Sequence, residues 1–146
     1  MKVVVVSDSH RWNGLNDIVA STNANYYLHA GDSGLPAELI DPFIAVRGNC
    51  DFYSYPIERI VDVGFAKIYI HHGHYYSRSQ MILKAKANDC QIIVTGHTHI
   101  PSLDEIDGIY ILNPGSVVTP RRGNQKSYAV IWMDQPNDYR FTFIQL

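Results

Sequence analysis

Val3-Val4-Val5-Val6-Ser7-Asp8-Ser9-His10 runs four β-branched residues straight into a carboxylate and an imidazole two positions apart. The valine run is apolar at every position, which predicts a strand covered on both faces. Asp8 and His10 follow where the chain leaves the sheet, and strand alternation would point both to one side. A hard oxygen and a borderline nitrogen held together at a strand end make a common start to a transition-metal site.

The same pattern recurs along the chain. Residues 13–23 carry Leu15, Ile18, Val19 and Ala20 at helical spacing, with Asn13 as the expected N-cap. A strand at 26–29 ends in Ala30-Gly31-Asp32-Ser33-Gly34, and one at 43–46 ends in Arg47-Gly48-Asn49-Cys50-Asp51. Strands at 57–63 and 65–70, separated by Gly64, lead into His71-His72-Gly73-His74. Ser77 and Gln80 have the spacing of a capping box, predicting a helix to about residue 88 with Met81, Ile82 and Ala85 inward. The apolar run 91–95 ends in Gly96-His97-Thr98-His99. Strands are expected at 103–107, 109–112, 126–133 and 139–144, with Asn113-Pro114-Gly115-Ser116 the most pronounced turn. Strand–helix alternation followed by a strand-rich half predicts an α/β sandwich of two facing sheets with helices outside. In such folds ligands gather where strands end, so turns distant in sequence converge on one pocket.

Composition bounds the function. At 146 residues the chain is expected to form a single domain, 1–146, burying about 68 to 70% of its unfolded surface. The net charge of -2 gives no general attraction to nucleic acid or anionic membrane, so phosphate recognition has to be local. Two cysteines, Cys50 and Cys90, are too few for a disulfide framework, and the short valine run is no signal-peptide core or membrane span. A cytoplasmic location is therefore expected. An exposed strand edge in the second half offers a route to a homo-oligomer.

Together the turns offer Asp8, His10, Asp32, Asn49, His72, His97 and His99. A catalytic zinc site uses three protein ligands, whereas this mixed oxygen and nitrogen set suits two metal ions sharing one carboxylate. Such a pair can hold a bridging hydroxide as nucleophile and clamp the oxygens of an in-line displacement at phosphorus. Imidazole and oxygen donors without thiolates favour Mn²⁺, Fe²⁺, Zn²⁺, Co²⁺ or Ni²⁺.

Asp8-Ser9-His10, Gly31-Asp32, Gly48-Asn49-Cys50-Asp51, His72-Gly73-His74 and Gly96-His97-Thr98-His99, in this order, resemble the signature of calcineurin-like metallophosphoesterases, nearest to the small YfcE-type phosphodiesterase branch. The resemblance implies a four-layer αββα sandwich of two mixed sheets and a dinuclear centre loaded with two divalent ions, Mn²⁺ foremost. Asp8, His10, Asp32 and His99 would hold one metal; Asp32 as bridge, Asn49, His72 and His97 would hold the other. Where many members carry Gly-Asn-His-Asp, this chain has Cys50, a weak donor beside an imidazolium. That implies a preference for small phosphodiesters over monoesters, with His74 the candidate replacement acid.

Each piece also has a structural reading. Asp8, Asp32 and Asn49 taken singly are turn formers. His71 reads as a strand residue, His29 as a packed group, Cys90 as core filler and Arg121-Arg122 as a solvated loop. Three functions compete: a phosphodiesterase, a non-catalytic interaction scaffold like the retromer subunit Vps29, and a phosphomonoesterase or nuclease of the same family. The filled ligand set favours the first, and the absence of a basic run disfavours a nuclease.

Overall fold

The computed structural model describes residues 1–146. The valine run forms β1 (Lys2–Val6), and Val3 to Val6 are fully buried, as a strand covered on both faces requires. It lies at the centre of a five-stranded sheet with β2 (Tyr26–His29) and β3 (Phe43–Ala45) on one side, both parallel to their neighbours. The antiparallel strands β9 (Ser127–Gln135) and β10 (Asp138–Gln145) complete the other side.

A second five-stranded sheet holds β4 (Glu58–Asp62), β5 (Lys67–His71), β6 (Ile92–Val94), β8 (Ile109–Asn113) and β7 (Ser102–Ile106), in that order. β5, β6 and β8 run parallel, and β4 and β7 pair antiparallel at the edges. Both sheets are therefore mixed.

Alternation along β1 divides the core. Val3 and Val5 join Ile68, Ile70, Ile92, Val94 and Leu112 between the sheets. Val4 and Val6 pack outward against α1 (Leu15–Thr22) and α2 (Ala37–Ile40) through Leu15, Ile18 and Ile40. On the far side, Tyr69, Ile93 and Ile111 meet Met81, Ile82 and Ala85 of α3 (Arg78–Ala87). Helices, sheet, sheet and helix make the αββα sandwich expected from the sequence. No helix is long and apolar enough to cross a membrane.

The local differences have physical causes. α1 starts later than Asn13 suggests, with Gly14 at its N-cap and no side-chain cap bond; the Trp12 ring occupies the space a Cβ at 14 would need, so glycine fits there. Ala20 is exposed, and Thr22 takes a buried position instead, its hydroxyl donating to Ile18 O at 2.6 Å. α2 is a single turn, too short to print a helical period on the sequence. The Ser77–Gln80 capping box forms as expected.

Candidate metal centre

Every turn singled out above leaves the carboxyl end of a strand: Asp8 and His10 follow β1, Asp32 follows β2, Asn49 follows β3, His72 follows β5, and His97 and His99 follow β6. The fold brings all seven to one end of the sandwich, at the edge of the space between the sheets.

Strand alternation is not what aims them. Asp8 and His10 have φ of 54° and 42°, Asp32 59°, and His97 and His99 72° and 61°, all in the left-handed region. Such residues cost of order 1–3 kcal/mol each unless the surroundings hold them, and they cluster where function requires it. The turns hold one another: Asp8 N–H donates to Gly31 O at 3.0 Å and His10 N–H to Asp32 O at 2.9 Å.

Each carboxylate uses one oxygen to satisfy the protein and presents the other. Asp8 Oδ2 accepts from Ser7 Oγ at 2.7 Å and from His97 N–H at 3.0 Å, and Asp32 Oδ1 accepts from Cys50 N–H at 2.8 Å. Asp8 Oδ1 is buried and has no hydrogen-bond partner. It lies 3.2 Å from His99 Nε2, 3.9 Å from His10 Nε2 and 3.7 Å from His72 Nε2. Asp32 Oδ2 lies 3.3 Å from His72 Nε2, and Asn49 Oδ1 lies 3.0 Å from His72 Nε2 and 3.1 Å from His97 Nδ1. Asp8 thus reaches His72 as well as His10 and His99, so the two halves of the site are less separate than the family pattern implies.

Two imidazoles have their protons assigned by carbonyl partners. His72 Nδ1 is 2.7 Å from Ala30 O and His99 Nδ1 is 2.7 Å from Thr119 O; a carbonyl only accepts, so Nδ1 carries the hydrogen in both. In the neutral ring Nε2 is then a bare lone pair, aimed in each case at a carboxylate oxygen. Lone pairs converge with no donor between them, which is an arrangement that calls for positive charge. The charges answer accordingly. Burial would depress His72, but Asp32 and Asp8 outweigh it and leave its pKa above the ordinary value. Burial would raise Asp32, but its contact with His72 holds it down to about 2. The donor set, the orphaned Asp8 oxygen and the imposed tautomers all fit divalent cations.

Close packing leaves no slack. A Cβ on Gly48 would lie 2.1 Å from Asp32 Oδ1, and one on Gly96 would lie 2.0 Å from Ser7 Oγ. Asp51, part of the Gly-Asn-Cys-Asp motif but given no role by sequence reasoning, accepts from the N–H groups of Asp32, Gly34 and Gly48 at 2.9, 2.9 and 2.7 Å. It ties the turn after β2 to the turn after β3. Asn113 and Ser116 act similarly: Asn113 Nδ2 donates to Gly96 O at 3.0 Å, and Ser116 Oγ donates to Asp8 O at 2.8 Å. An acidic residue two positions beyond a ligand, and a polar Asn-Pro-Gly-Ser turn, were the only sequence signals for these roles.

The remaining candidates fall around this centre. Cys50 is exposed, its Sγ within reach of His10 and Asp32 ligand atoms; burial and then the Asp32 charge push the thiol up, so it stays protonated. His74 is half-buried, its ring 5.3 Å from that of His72 and 6.4 Å from that of His97. Burial, then His72 and His97, lower its pKa, which makes it a neutral hydrogen-bonding group at pH 7 and a poor proton source. His29 is fully buried and packed as expected, bound to Ser9 Oγ at 2.8 Å and to Gly31 N–H at 3.1 Å. His71 ends β5, Cys90 is core, and Arg121 and Arg122 are exposed.

Comparison with known proteins gives consistent results. Residues 1–135 match the calcineurin-like phosphoesterase superfamily domain. The chain is 31% identical over 144 residues to the probable metallophosphoesterase YsnB of Bacillus subtilis, spanning 92% of this chain and 85% of that one. It is 32% identical over 103 residues to the phosphodiesterase YfcE of Escherichia coli, spanning 64% and 54%. A predicted phosphoesterase from Streptococcus pneumoniae superposes with a TM-score of 0.90 at 29% identity, covering 99% of this chain and 88% of that one. Vps29 from Entamoeba histolytica, crystallised with Zn²⁺, shares the fold with a TM-score of 0.76 at 20% identity over 99% of each chain.

Proposed function

The chain belongs to the calcineurin-like phosphoesterase superfamily, and on that premise we propose that it is a metal-dependent phosphodiesterase acting on small diesters through two divalent ions. Asp8, His10, Asp32 and His99 are the ligands of one ion, and Asp32, Asn49, His72 and His97 those of the other. The observation that carries this reading is the convergence of acceptors without donors, with Asp8 Oδ1 buried and unpartnered at its centre. When bound, the ions supply a nucleophile from water at neutral pH and stabilise charge developing on the phosphoryl oxygens. Mn²⁺ is the metal proposed, with Ni²⁺, Co²⁺, Zn²⁺ and Fe²⁺ as competitors of similar ligand preference.

The chain's own residues do the rest. Ser7 and His97 N–H lock the Asp8 carboxylate, and Cys50 N–H locks Asp32, so the acceptors are oriented before any cation arrives. His74, neutral and at the edge of the centre, offers an N–H to a phosphoryl oxygen rather than a proton to the leaving group. Cys50 stands where a basic histidine would hold the second negative charge of a monoester, and its neutral thiol supports diester preference.

The test is hydrolysis of a chromogenic aryl phosphodiester with Mn²⁺, Ni²⁺, Co²⁺ and Zn²⁺ in turn, with Asp32→Asn as control. Turnover that requires metal and is lost in D32N is expected. A folded, metal-loaded wild type that is silent with every ion overturns the enzyme reading and favours an interaction scaffold.

A further inference from the structure

A cavity of about 370 Å³ opens beside the proposed metal ligands His10 and Asp32, walled by Arg11, Cys50, Phe52 and Tyr53. Its aromatic wall is unusual for a residue pair next to a buried turn. Phe52 is 95% exposed and Tyr53 45%, whereas the preceding Asp51 is 4% exposed and bonded to three backbone N–H groups. A phenylalanine this exposed buries almost no apolar surface and adds little to folding, yet it directly follows a residue tied by three hydrogen bonds. The loop is closed at its far end by Arg47 N–H donating to Pro56 O at 2.8 Å and by Tyr55 Oη donating to Leu35 O at 2.5 Å.

Arg11 is the second element. Its N–H donates to Ser33 O at 2.7 Å, and its stem lies against Gly34, where a Cβ would meet Arg11 Cγ at 2.7 Å. The guanidinium makes no ion pair, unlike Arg78 and Arg140, which bind Asp104 and Asp134. A guanidinium without an ion pair, lining the same cavity as two aromatic side chains, combines a stacking surface with planar hydrogen-bond donors. The volume lies within the range of small-ligand sites, and a methyl or ethyl ester would leave most of it empty. With a net charge of -2 and no long basic run, the surface is unsuited to tracking a long polyanion, and the cavity suits a mononucleotide-sized group.

We propose that this cavity receives the nucleobase of a nucleotide ester, stacked on Phe52 and Tyr53 with the Arg11 guanidinium at its edge, while the phosphoryl group sits at His10 and Asp32. The proposal rests on the phosphodiesterase reading for the position of the phosphoryl group. It assigns Phe52, Tyr53 and Arg11 to substrate selection.

The test is calorimetric titration of Mn²⁺-saturated protein with the methyl esters of adenosine 5′-monophosphate and of ribose 5-phosphate, both of them diesters, run beside the aryl diester assay. The base is expected to tighten binding by roughly tenfold, as stacking on an exposed aromatic does elsewhere. That preference should collapse in Phe52→Ala and return in Phe52→Trp; the side chain is exposed, so loss of folding does not enter. Equal affinity of the two probes, no binding of either, or a preference that survives in both F52A and Tyr53→Ala overturns the proposal. A wild type that hydrolyses the aryl diester without preferring the nucleotide overturns this inference alone. One that prefers the nucleotide but hydrolyses no diester overturns the phosphodiesterase reading alone.

Discussion

The Nε2 atom of His99 faces Asp8 Oδ1 at 3.2 Å, and because Nδ1–H donates to Thr119 O, the neutral ring turns a lone pair toward a carboxylate. The pair repels unless a cation stands with it. Asp8→Asn removes the negative charge while keeping the shape. Chelator-treated D8N should therefore be at least as stable as chelator-treated wild type, while the gain in Tm that Mn²⁺ gives wild type should be largely lost. For a ligand at about 100 times its Kd that gain corresponds to about 2.7 kcal/mol. Thermal melts with and without Mn²⁺ check it, and an equal metal-induced gain in D8N would remove Asp8 from the ligand set.

Gly48→Ala tests how tightly the site is packed. The new Cβ would sit 2.1 Å from Asp32 Oδ1, and the obstacle is a buried carboxylate fixed by Cys50 N–H rather than the free end of a flexible chain. The carboxylate has to move. Metal affinity should fall by roughly 10- to 100-fold, the usual effect of disturbing a ligand's support. Mn²⁺ titration of the folded variant gives the answer; unchanged affinity would mean that Asp32 does not bind metal in the position seen here.

Asp51→Asn keeps the size of a side chain that accepts from three backbone N–H groups but leaves only one oxygen to do so. Hydrogen bonds to charged groups contribute about 1.5–3 kcal/mol each, and at least one is lost. A destabilisation of roughly 2–4 kcal/mol in urea melts is expected, together with weaker metal binding, since the turns bearing Asp32 and Asn49 are no longer tied.

Acid stability follows from His29. Its Nδ1 accepts from Gly31 N–H and its Nε2 bonds Ser9 Oγ, so protonation breaks a buried bond, and burial lowers its pKa from 6.5 to about 4. A depressed imidazole pKa means that the unfolded chain takes the proton first. The stability His29 contributes is complete above pH 6.5 and is lost as pH falls from 6.5 to about 4, on the order of 3 kcal/mol in all. His71, also lowered to about 4, acts in the same sense. His74 and His97, lowered as well, add to the same limb, whereas His72, whose pKa is raised, acts oppositely and above that window. In chelator, His29→Gln should flatten the fall in Tm across this range; an unaltered slope would place the acid sensitivity elsewhere.

Cys50→His addresses the choice of ester. Its backbone N–H already serves Asp32, so only the side chain changes, at an exposed position beside His10. The ratio of aryl monoester to aryl diester turnover should rise by about tenfold or more, within the range a positioned imidazole contributes. An unchanged ratio would show that Cys50 does not set the preference.

The sequence by itself determined the layers and the chemistry of the donors. Val3 to Val6 could only be a strand buried on both faces, the capping box of α3 was legible to the residue, and the ordered Asp, His and Asn turns named the family and its ligand types. These are local properties, readable from periodicity and from side-chain chemistry next to a strand end. Tertiary structure decided which atoms meet. Asp8 and His10 share a site because left-handed turns aim them, not because a strand alternates, and Asp8 Oδ1 reaches His72 as closely as it reaches His10. Asp51 became visible as a clamp only when two turns separated by β3 lay side by side, and Phe52 as a cavity wall only when that clamp had a place. A sequence lists donors and acceptors; which oxygen is satisfied by the protein and which is left for a cation depends on neighbours that only folding supplies.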